Sequence, residues 1–266
     1  MIEESQVAKL GDALYEAMVS GRPTTKISEI APESTITDAY NIQSRMLARR
    51  IAAGDEIVGR KIGLTSRAIQ DALGVYQPDF GQLTRQMLYQ NGDAIDMGAL
   101  MQPRAEAELA FVLKHDLRGP GVTVTDVIRA TDYVTPCFEI VDTRFSDWKI
   151  RIQDTVADNA SCGVFLLGEG RADPRDIDLS LAGLVIEKNG ALHSTGVGAA
   201  VQGSPANAVA WLANTLGALG ITLKAGEVIL SGAQAPLIEV VDGDELVATI
   251  AGVGTCTARF KGRAQV

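Results

Sequence analysis

The side chains best able to do chemistry in this chain are carboxylates, and two of them stand close together. In QPRAEAELAF, residues 102–111, Glu106 and Glu108 precede a nearly unbroken apolar run. A strand points successive side chains to opposite faces, so the two glutamates share one face, roughly 6.5–7 Å apart at the backbone. Like charges held that close repel unless something positive lies between them. On a helix the same spacing would splay them apart. One reading is a solvated edge with only Ala105, Ala107, Leu109 and Phe111 turned inward. The other is a metal site, and the segment alone leaves both open. A third carboxylate, Glu139, lies in the apolar strand TPCFEIVD, where a lone charge is harder to dismiss as solvated. Three carboxylates from two strands, with the remaining positions left to water or substrate, suit a hard divalent cation such as Mg²⁺ or Mn²⁺.

Other polar residues carry two readings each. Lys61 in GRKIGL is flanked by Ile62 and Leu64. It either snorkels to the surface or holds a cation near an anionic substrate, or acts as an acid/base group tuned by burial. Asp79 in QPDFG fits ordinary turn chemistry as well as catalysis. In VADNASCG, residues 156–163, Asp158, Asn159 and Ser161 could tie down a loop or line a pocket.

Several chemistries are disfavoured. His115 lies in the turn-like KHDLRGPG and His193 just past an Asn-Gly turn, so both are expected to face solvent and catalysis to run without histidine. Cys137, Cys162 and Cys256 are odd in number and far apart, which fits small core residues and neither a disulfide framework nor a Cys-x-x-Cys zinc site. GVGAAV at 196–201 lacks the third glycine of a dinucleotide loop and reads as a plain turn. The Ser-x-x-Lys match at Ser146–Lys149 has no accompanying Ser-Asp-Asn or Lys-Thr-Gly.

These residues must be positioned by a body of ordinary size. At 266 residues the chain is long enough for one large domain or two modest ones. Its net charge of -9 argues against nucleic acid or an anionic membrane surface as partner. No secretory leader and no apolar run of transmembrane length is present, so a cytoplasmic location is expected. Residues 3–19 read as a helix ending at Gly21 and Pro23, and a second helix runs from about Asp38 to Gly54. A short helix, SRAIQDAL, capped by Thr65 or Ser66, is expected to end at Gly74. Strands are expected at 57–64, IVGRKIGL, and near 86–96, 104–114, 134–142, 162–167, 182–188, 227–231, 237–241 and 246–260. Asn91-Gly92, Asn189-Gly190 and Asp242-Gly243 read as hairpin signals. A helix is expected near Thr125–Thr131. Another is opened by Ser204 and Pro205, with Leu212, Leu216 and Leu219 on its packed face. The expected organisation is a helical N-terminal segment, 1–55, followed by a mixed β body, 56–266.

GRKIGLTS, QPDFG, QPRAEAELAFVL, PCFEIVDTR, DWKIRIQDTVADNASCG, GSPANAVAWLANTLG and LKAGEVILSG together resemble the 2-hydroxypenta-2,4-dienoate hydratases of the fumarylacetoacetate-hydrolase-like superfamily. The likeness runs from about residue 10 to residue 260. It implies an α/β fold, a mixed β-roll with helices packed outside. It implies one Mg²⁺ or Mn²⁺ held by Glu106, Glu108 and Glu139, with Lys61 beside it. It further implies hydration of 2-hydroxypenta-2,4-dienoate to 4-hydroxy-2-oxopentanoate in meta-cleavage catabolism of aromatic compounds. A large homo-oligomer, such as a decamer, and a complex with 4-oxalocrotonate decarboxylase also belong to the resemblance. Within it, Lys61 and Asp79 carry the catalytic roles, in either assignment. Leu64 and Thr65 offer backbone N–H groups to the substrate carboxylate, and Asp158 and Ser161 line the substrate site. The decarboxylases of the same superfamily are the nearest alternative, and Asp79 favours hydration because they carry an aliphatic residue there. The hydrolases' His-Glu pair has no counterpart at His115 or His193. A non-catalytic scaffold subunit is the rival of another class, disfavoured because a scaffold has no use for like charges on one strand face.

Overall fold

The computed structural model describes residues 1–67, 70, 71 and 75–262. Three helices open the chain: α1 (Glu4–Ser20), the single turn α2 (Ile27–Ile30) and α3 (Ile36–Ala52). The third begins at a capping box, in which the Thr35 side chain accepts from the Asp38 N–H and Asp38 answers the Thr35 N–H. Thirteen strands follow with three further helices among the described residues: α4 (Val124–Ala130), α5 (Ile152–Ala157) and α6 (Pro205–Ala218). The helix predicted over SRAIQDAL is helical at Arg67, Gln70 and Asp71, and its other positions from 68 to 74 lie outside the described residues.

The strands build two mixed sheets. The larger has the order β2-β1-β10-β5-β6-β7-β3, where β1 is Ile57–Gly63, β2 Asp79–Thr84, β3 Leu88–Tyr89, β5 Arg104–Leu113, β6 Thr131–Val141, β7 Cys162–Leu167 and β10 Val228–Ala233. The two-residue β11 (Ile238–Glu239) adds to the far end of β5. The smaller sheet runs β4-β13-β12-β8-β9, from β4 (Ala94–Asp96), β8 (Gly183–Lys188), β9 (Ala191–Val197), β12 (Glu245–Ile250) and β13 (Gly254–Lys261). Among the described residues three pairings between strands are parallel, β1 with β10, β3 with β7 and β4 with β13.

Of the three Asx-Gly signals only Asn189-Gly190 closes a hairpin, β8 to β9. At Asn91-Gly92 the chain leaves β3 in the large sheet for β4 in the small one, and at Asp242-Gly243 it passes from β11 to β12 in the same sense. Both glycines take left-handed φ, +80° and +85°, so the turn chemistry was read correctly and its partner strands were not. The run predicted as one strand over 246–260 is the hairpin β12–β13, bent at Gly252. QPDFG yields the start of β2, and GVGAAV yields the last two residues of β9 followed by a 3-10 turn.

Alternation along β5 sends Ala105, Ala107, Leu109, Phe111 and Leu113 into the main core. They pack there with Phe138 and Ile140, with Leu184, Ile186, Leu246 and Phe260 of the small sheet, and with Val209, Leu212 and Leu216 of α6. Leu219, predicted on that helix face, lies past the helix end and is exposed. The N-terminal helices share a second core, Leu10, Leu14, Ile42, Met46 and Leu47, with Phe145, Val156 and Ala157 from the region of α5. That shared core fixes α3 against α5.

Candidate metal centre and active site

The opposite face of β5 carries Glu106 and Glu108. In the antiparallel register Glu106 pairs with Glu139 and Glu108 with Cys137, so all three glutamates lie on one side of the sheet. Each offers a carboxylate oxygen within 4.8 Å of the others. Glu108 and Glu139 are 1% and 0% exposed, which overturns the solvated-edge reading. One face of β5 is buried and apolar; on the other, Glu108 is buried and Glu106 half-buried.

Two neighbours hold the cluster. The Gly232 N–H donates to Glu108 Oε2 at 2.8 Å, from a φ of +111° that a side chain rarely adopts. A Cβ at Gly232 would also lie 2.2 Å from Thr65 Oγ1, so Thr65 packs on the backbone that restrains Glu108. Lys61 Nζ lies 3.1 Å from Glu139 Oε1 and donates to the Ala160 carbonyl at 2.9 Å. Lys61 is therefore no snorkelling lysine; it is 3% exposed and faces the acidic cluster.

Asp79 joins from β2. It pairs with Gly63 in the β1–β2 ladder while Lys61 pairs with Gly81, so Asp79 and Lys61 share a face. A Cβ at Gly63 would meet Asp79 Oδ1 at 2.2 Å and Lys61 Nζ at 3.3 Å. Gly63 thus leaves the space in which the two catalytic candidates approach each other.

Electrostatics follow from burial. Desolvation first, then the charge of Glu139, pushes Glu106 up to about 7. Desolvation followed by the charges of Glu139 and Glu106 raises Glu108 well above the usual carboxylate range. Burial raises Glu139 as well, against the pull of Lys61, and raises Asp79 for the same reason. For Lys61 burial works toward neutrality, but the charges of Glu139, Asp79 and Glu106 outweigh it and raise the ammonium.

The cluster fits a hard divalent cation. Glu108 Oε1 and Glu139 Oε2 are buried and find no hydrogen-bond partner among the described residues. Buried carboxylate oxygens without a partner are costly, and an ion among three oxygen donors removes that cost.

The remaining predicted residues are distributed unevenly. Leu64, at φ +56°, turns the chain out of β1, with Thr65 next to it. Ser161 lies in the loop that binds Lys61, its Oγ 3.0 Å from Thr155 Oγ1. Asp158 is not brought to the cluster. Its carboxylate is engaged by the Arg144 guanidinium and by the Arg144 N–H at 3.0 Å, which is the loop-tying reading. His115 and His193 are exposed, and all three cysteines are buried and free. A cavity of about 280 Å³ is lined by Tyr15, Arg50, Tyr89, Arg144 and Gly163 and includes none of the three glutamates.

Sequence reasoning missed Gly63, Gly232 and the hydrogen-bonding residues Tyr40 and Gln43. The only signal for the glycines was their place at strand ends next to candidate residues. Tyr40 and Gln43 look like ordinary positions of an amphipathic helix.

Residues 59–261 match the model of the fumarylacetoacetate (FAA) hydrolase C-terminal family. The chain is 54% identical to a 2-hydroxyhexa-2,4-dienoate hydratase of Comamonas testosteroni over 98% of its own length and 99% of the relative's. It is 56% identical to a 2-hydroxypent-2,4-dienoate hydratase of Pseudomonas putida, over 83% of this chain and all of the other. Among solved structures it is similar to the 4-oxalocrotonate decarboxylase from Pseudomonas putida G7 complexed with magnesium and adipate. That similarity has a TM-score of 0.94 and 37% identity, and it covers 98% of this chain and 99% of the other. The mixed β-roll, the acidic sheet face and these end-to-end similarities identify the chain as a member of the fumarylacetoacetate hydrolase family.

Proposed function

We propose that this protein is a metal-dependent hydro-lyase that adds water to 2-hydroxypenta-2,4-dienoate, giving 4-hydroxy-2-oxopentanoate in the meta-cleavage breakdown of aromatic compounds. The observation that carries this reading is the convergence of Lys61 and Asp79 on a three-carboxylate face, in a chain more than half identical to named hydratases.

Glu106, Glu108 and Glu139 would hold one Mg²⁺ or Mn²⁺. When bound, it would supply a Lewis acid for the carboxylate and 2-oxygen of a small 2-oxo acid or its enol. Lys61, kept as ammonium by its acidic neighbours and fixed by the Ala160 carbonyl, serves as a stationary positive charge for the anionic substrate. Asp79 is the proton carrier. Its Oδ1 is buried with no hydrogen-bond partner among the described residues, and burial raises its proton affinity against the pull of Lys61. Asp79 would move the 2-hydroxyl proton to C5, giving the 3-enoate ketone, and orient the water whose oxygen then bonds to C4 while one of its protons ends on C3. Backbone N–H groups of Leu64 and Thr65 would bind the substrate carboxylate, with Ser161 in the adjoining wall.

The decarboxylase reading draws on the 0.94 TM-score to a 4-oxalocrotonate decarboxylase. One experiment separates the two. Purified protein is given freshly generated 2-hydroxypentadienoate, with and without Mg²⁺ or Mn²⁺, and separately 2-oxo-3-hexenedioate. Metal-dependent loss of dienoate absorbance without CO₂ release from the second substrate supports the hydratase. CO₂ release without hydration supports the decarboxylase, and inactivity on both supports a scaffold subunit. Light scattering of the purified chain, alone and with the decarboxylase, tests the expected homo-oligomer and complex. Among the described residues no helix is long and apolar enough to cross a membrane.

A further inference from the structure

β2, which opens with Asp79, is the edge strand of the large sheet. Its inner side pairs with β1. An exposed edge normally leaves alternate N–H and C=O groups to water, but here the outward groups of Phe80 and Gln82 are taken up by side chains. The Phe80 N–H donates to Tyr40 Oη at 3.3 Å, and the Phe80 carbonyl accepts from Gln43 Nε2 at 3.1 Å. The Gln82 N–H donates to Asn159 Oδ1 at 2.7 Å, and the Gln82 carbonyl accepts from Asn159 Nδ2 at 2.9 Å. The Tyr40 ring also stacks on Phe80, with centroids 4.3 Å apart.

The residues that make these bonds are themselves held. Gln43 is 1% exposed and gives a second bond to the Val156 carbonyl at 2.8 Å. Asn159 is fully buried and sits at φ +58°, followed by Ala160 at +51° and Ser161 at +54°. Three successive left-handed residues without a glycine persist only where the surroundings enforce them. Here the enforcing contacts are the buried Arg144–Asp158 pair, the Ser161–Thr155 hydroxyl contact and the Asp142 N–H on the Ser161 carbonyl at 2.8 Å. The same turn presents the Ala160 carbonyl to Lys61. One loop therefore fixes the β2 edge and the Lys61 ammonium together.

We infer that Asn159, Gln43 and Tyr40 form a surrogate strand that positions Asp79 against Lys61. By this inference the N-terminal helical segment, which precedes the family-matched region beginning at residue 59, is part of the catalytic apparatus through Tyr40 and Gln43. This rests on the role of Asp79 in the proposed hydration. A displacement of about 1 Å at such a group can cost on the order of 10²-fold in rate. The three are positioning residues, since they act on the backbone of β2.

Asn159→Gly is the informative variant, because glycine accepts φ +58° and loses both bonds to Gln82. Asn159→Asp keeps the acceptor for the Gln82 N–H and serves as the conservative partner, and Gln43→Leu tests the helix side. Two readouts are taken. The first is hydrogen–deuterium exchange of the metal-free protein under chelator, which needs no activity. Asn159→Gly and Gln43→Leu should speed exchange in residues 79–84 and leave 105–113 unchanged. The second is kcat in a double-mutant cycle with Asp79→Ala. Asn159→Gly should lower kcat at least about tenfold with Mn²⁺ affinity within twofold, Asn159→Asp should lower it less, and Asn159→Gly should add little once Asp79 is gone. Unchanged exchange in 79–84 overturns the surrogate strand, and an equal fractional loss in both backgrounds overturns its action through Asp79. Wild-type turnover in Asp79→Ala would instead refute the proposed role of Asp79, and the exchange result would still decide whether the side chains hold the strand.

Discussion

Glu106 and Glu139 face each other directly across the β5–β6 ladder, one residue of each pair on adjacent antiparallel strands. Directly opposed like charges destabilise a sheet, so the cluster works against the stability of the metal-free protein. Glu106→Gln removes one of the opposed charges and leaves Lys61 its ion pair with Glu139. The expected outcome is loss of Mn²⁺ binding and turnover together with an unchanged or higher melting temperature under chelator. A variant that melts well below wild type in chelator would show that Glu106 supports the fold.

Protons compete for the same oxygens. Burial and the Glu139 charge push Glu106 up to about 7 in the metal-free site, and Glu108 and Glu139 are raised too. A carboxyl must be deprotonated to bind a cation, so ion uptake releases protons below that range and is favoured above it. Mn²⁺ affinity should fall as pH drops from 8 to 6, by up to about tenfold per pH unit for each proton displaced. Titration calorimetry in two buffers of different ionisation heat measures both affinity and proton release. Affinity independent of pH would contradict the raised carboxyl groups.

Asp79→Ala should cut turnover by at least about 10²-fold while Mn²⁺ still binds with wild-type affinity, because Asp79 shares the face but not the three-glutamate cluster. Steady-state kinetics and a metal titration on the same preparation check both halves. Turnover near wild type would remove Asp79 from the reaction.

The acidic face was legible because it is local. A period of two along AEAEL places two glutamates together, and an apolar run around Glu139 marks a buried strand. The register that sets Glu139 opposite Glu106 is a non-local fact, and no residue in either strand announces it. The same limit explains the turns. Asn91-Gly92 and Asp242-Gly243 specify left-handed backbone, which sequence shows, but not whether the next strand returns to its neighbour or crosses to the other sheet. Asp79 stays open between turn and catalysis in the sequence because Pro-Asp-x-Gly has two uses, whereas in the fold side chains from α3 and the 158–161 loop complete the edge of β2. Asp158 stays open between tying a loop and lining a pocket in the sequence because its partner, Arg144, is fourteen positions away.

Gly63 offers a test of geometry with little disturbance of the fold. A methyl group there would meet Asp79 Oδ1 at 2.2 Å and Lys61 Nζ at 3.3 Å, both atoms at the ends of side chains that can turn away. Gly63→Ala should therefore fold and bind Mn²⁺ yet lose turnover about as severely as Asp79→Ala. Circular dichroism, metal titration and kcat together decide it. Retained turnover would mean that Asp79 and Lys61 need not approach each other.

Asp158 separates a loop-tying role from a substrate-binding one. Its carboxylate and Arg144 are 0% and 5% exposed, and the guanidinium also donates to the Cys162 carbonyl at 3.0 Å and the Asp158 carbonyl at 2.7 Å. Removing one partner of a buried pair costs about 3–5 kcal/mol, here toward the lower end because Asp142 Oδ2 stays 4.0 Å from the Arg144 guanidinium. Asp158→Ala should therefore lower unfolding stability by that order in urea. It should also reduce kcat through the loosened loop under Lys61, without a specific rise in KM. A variant of wild-type stability whose KM alone rises would instead place Asp158 on the substrate.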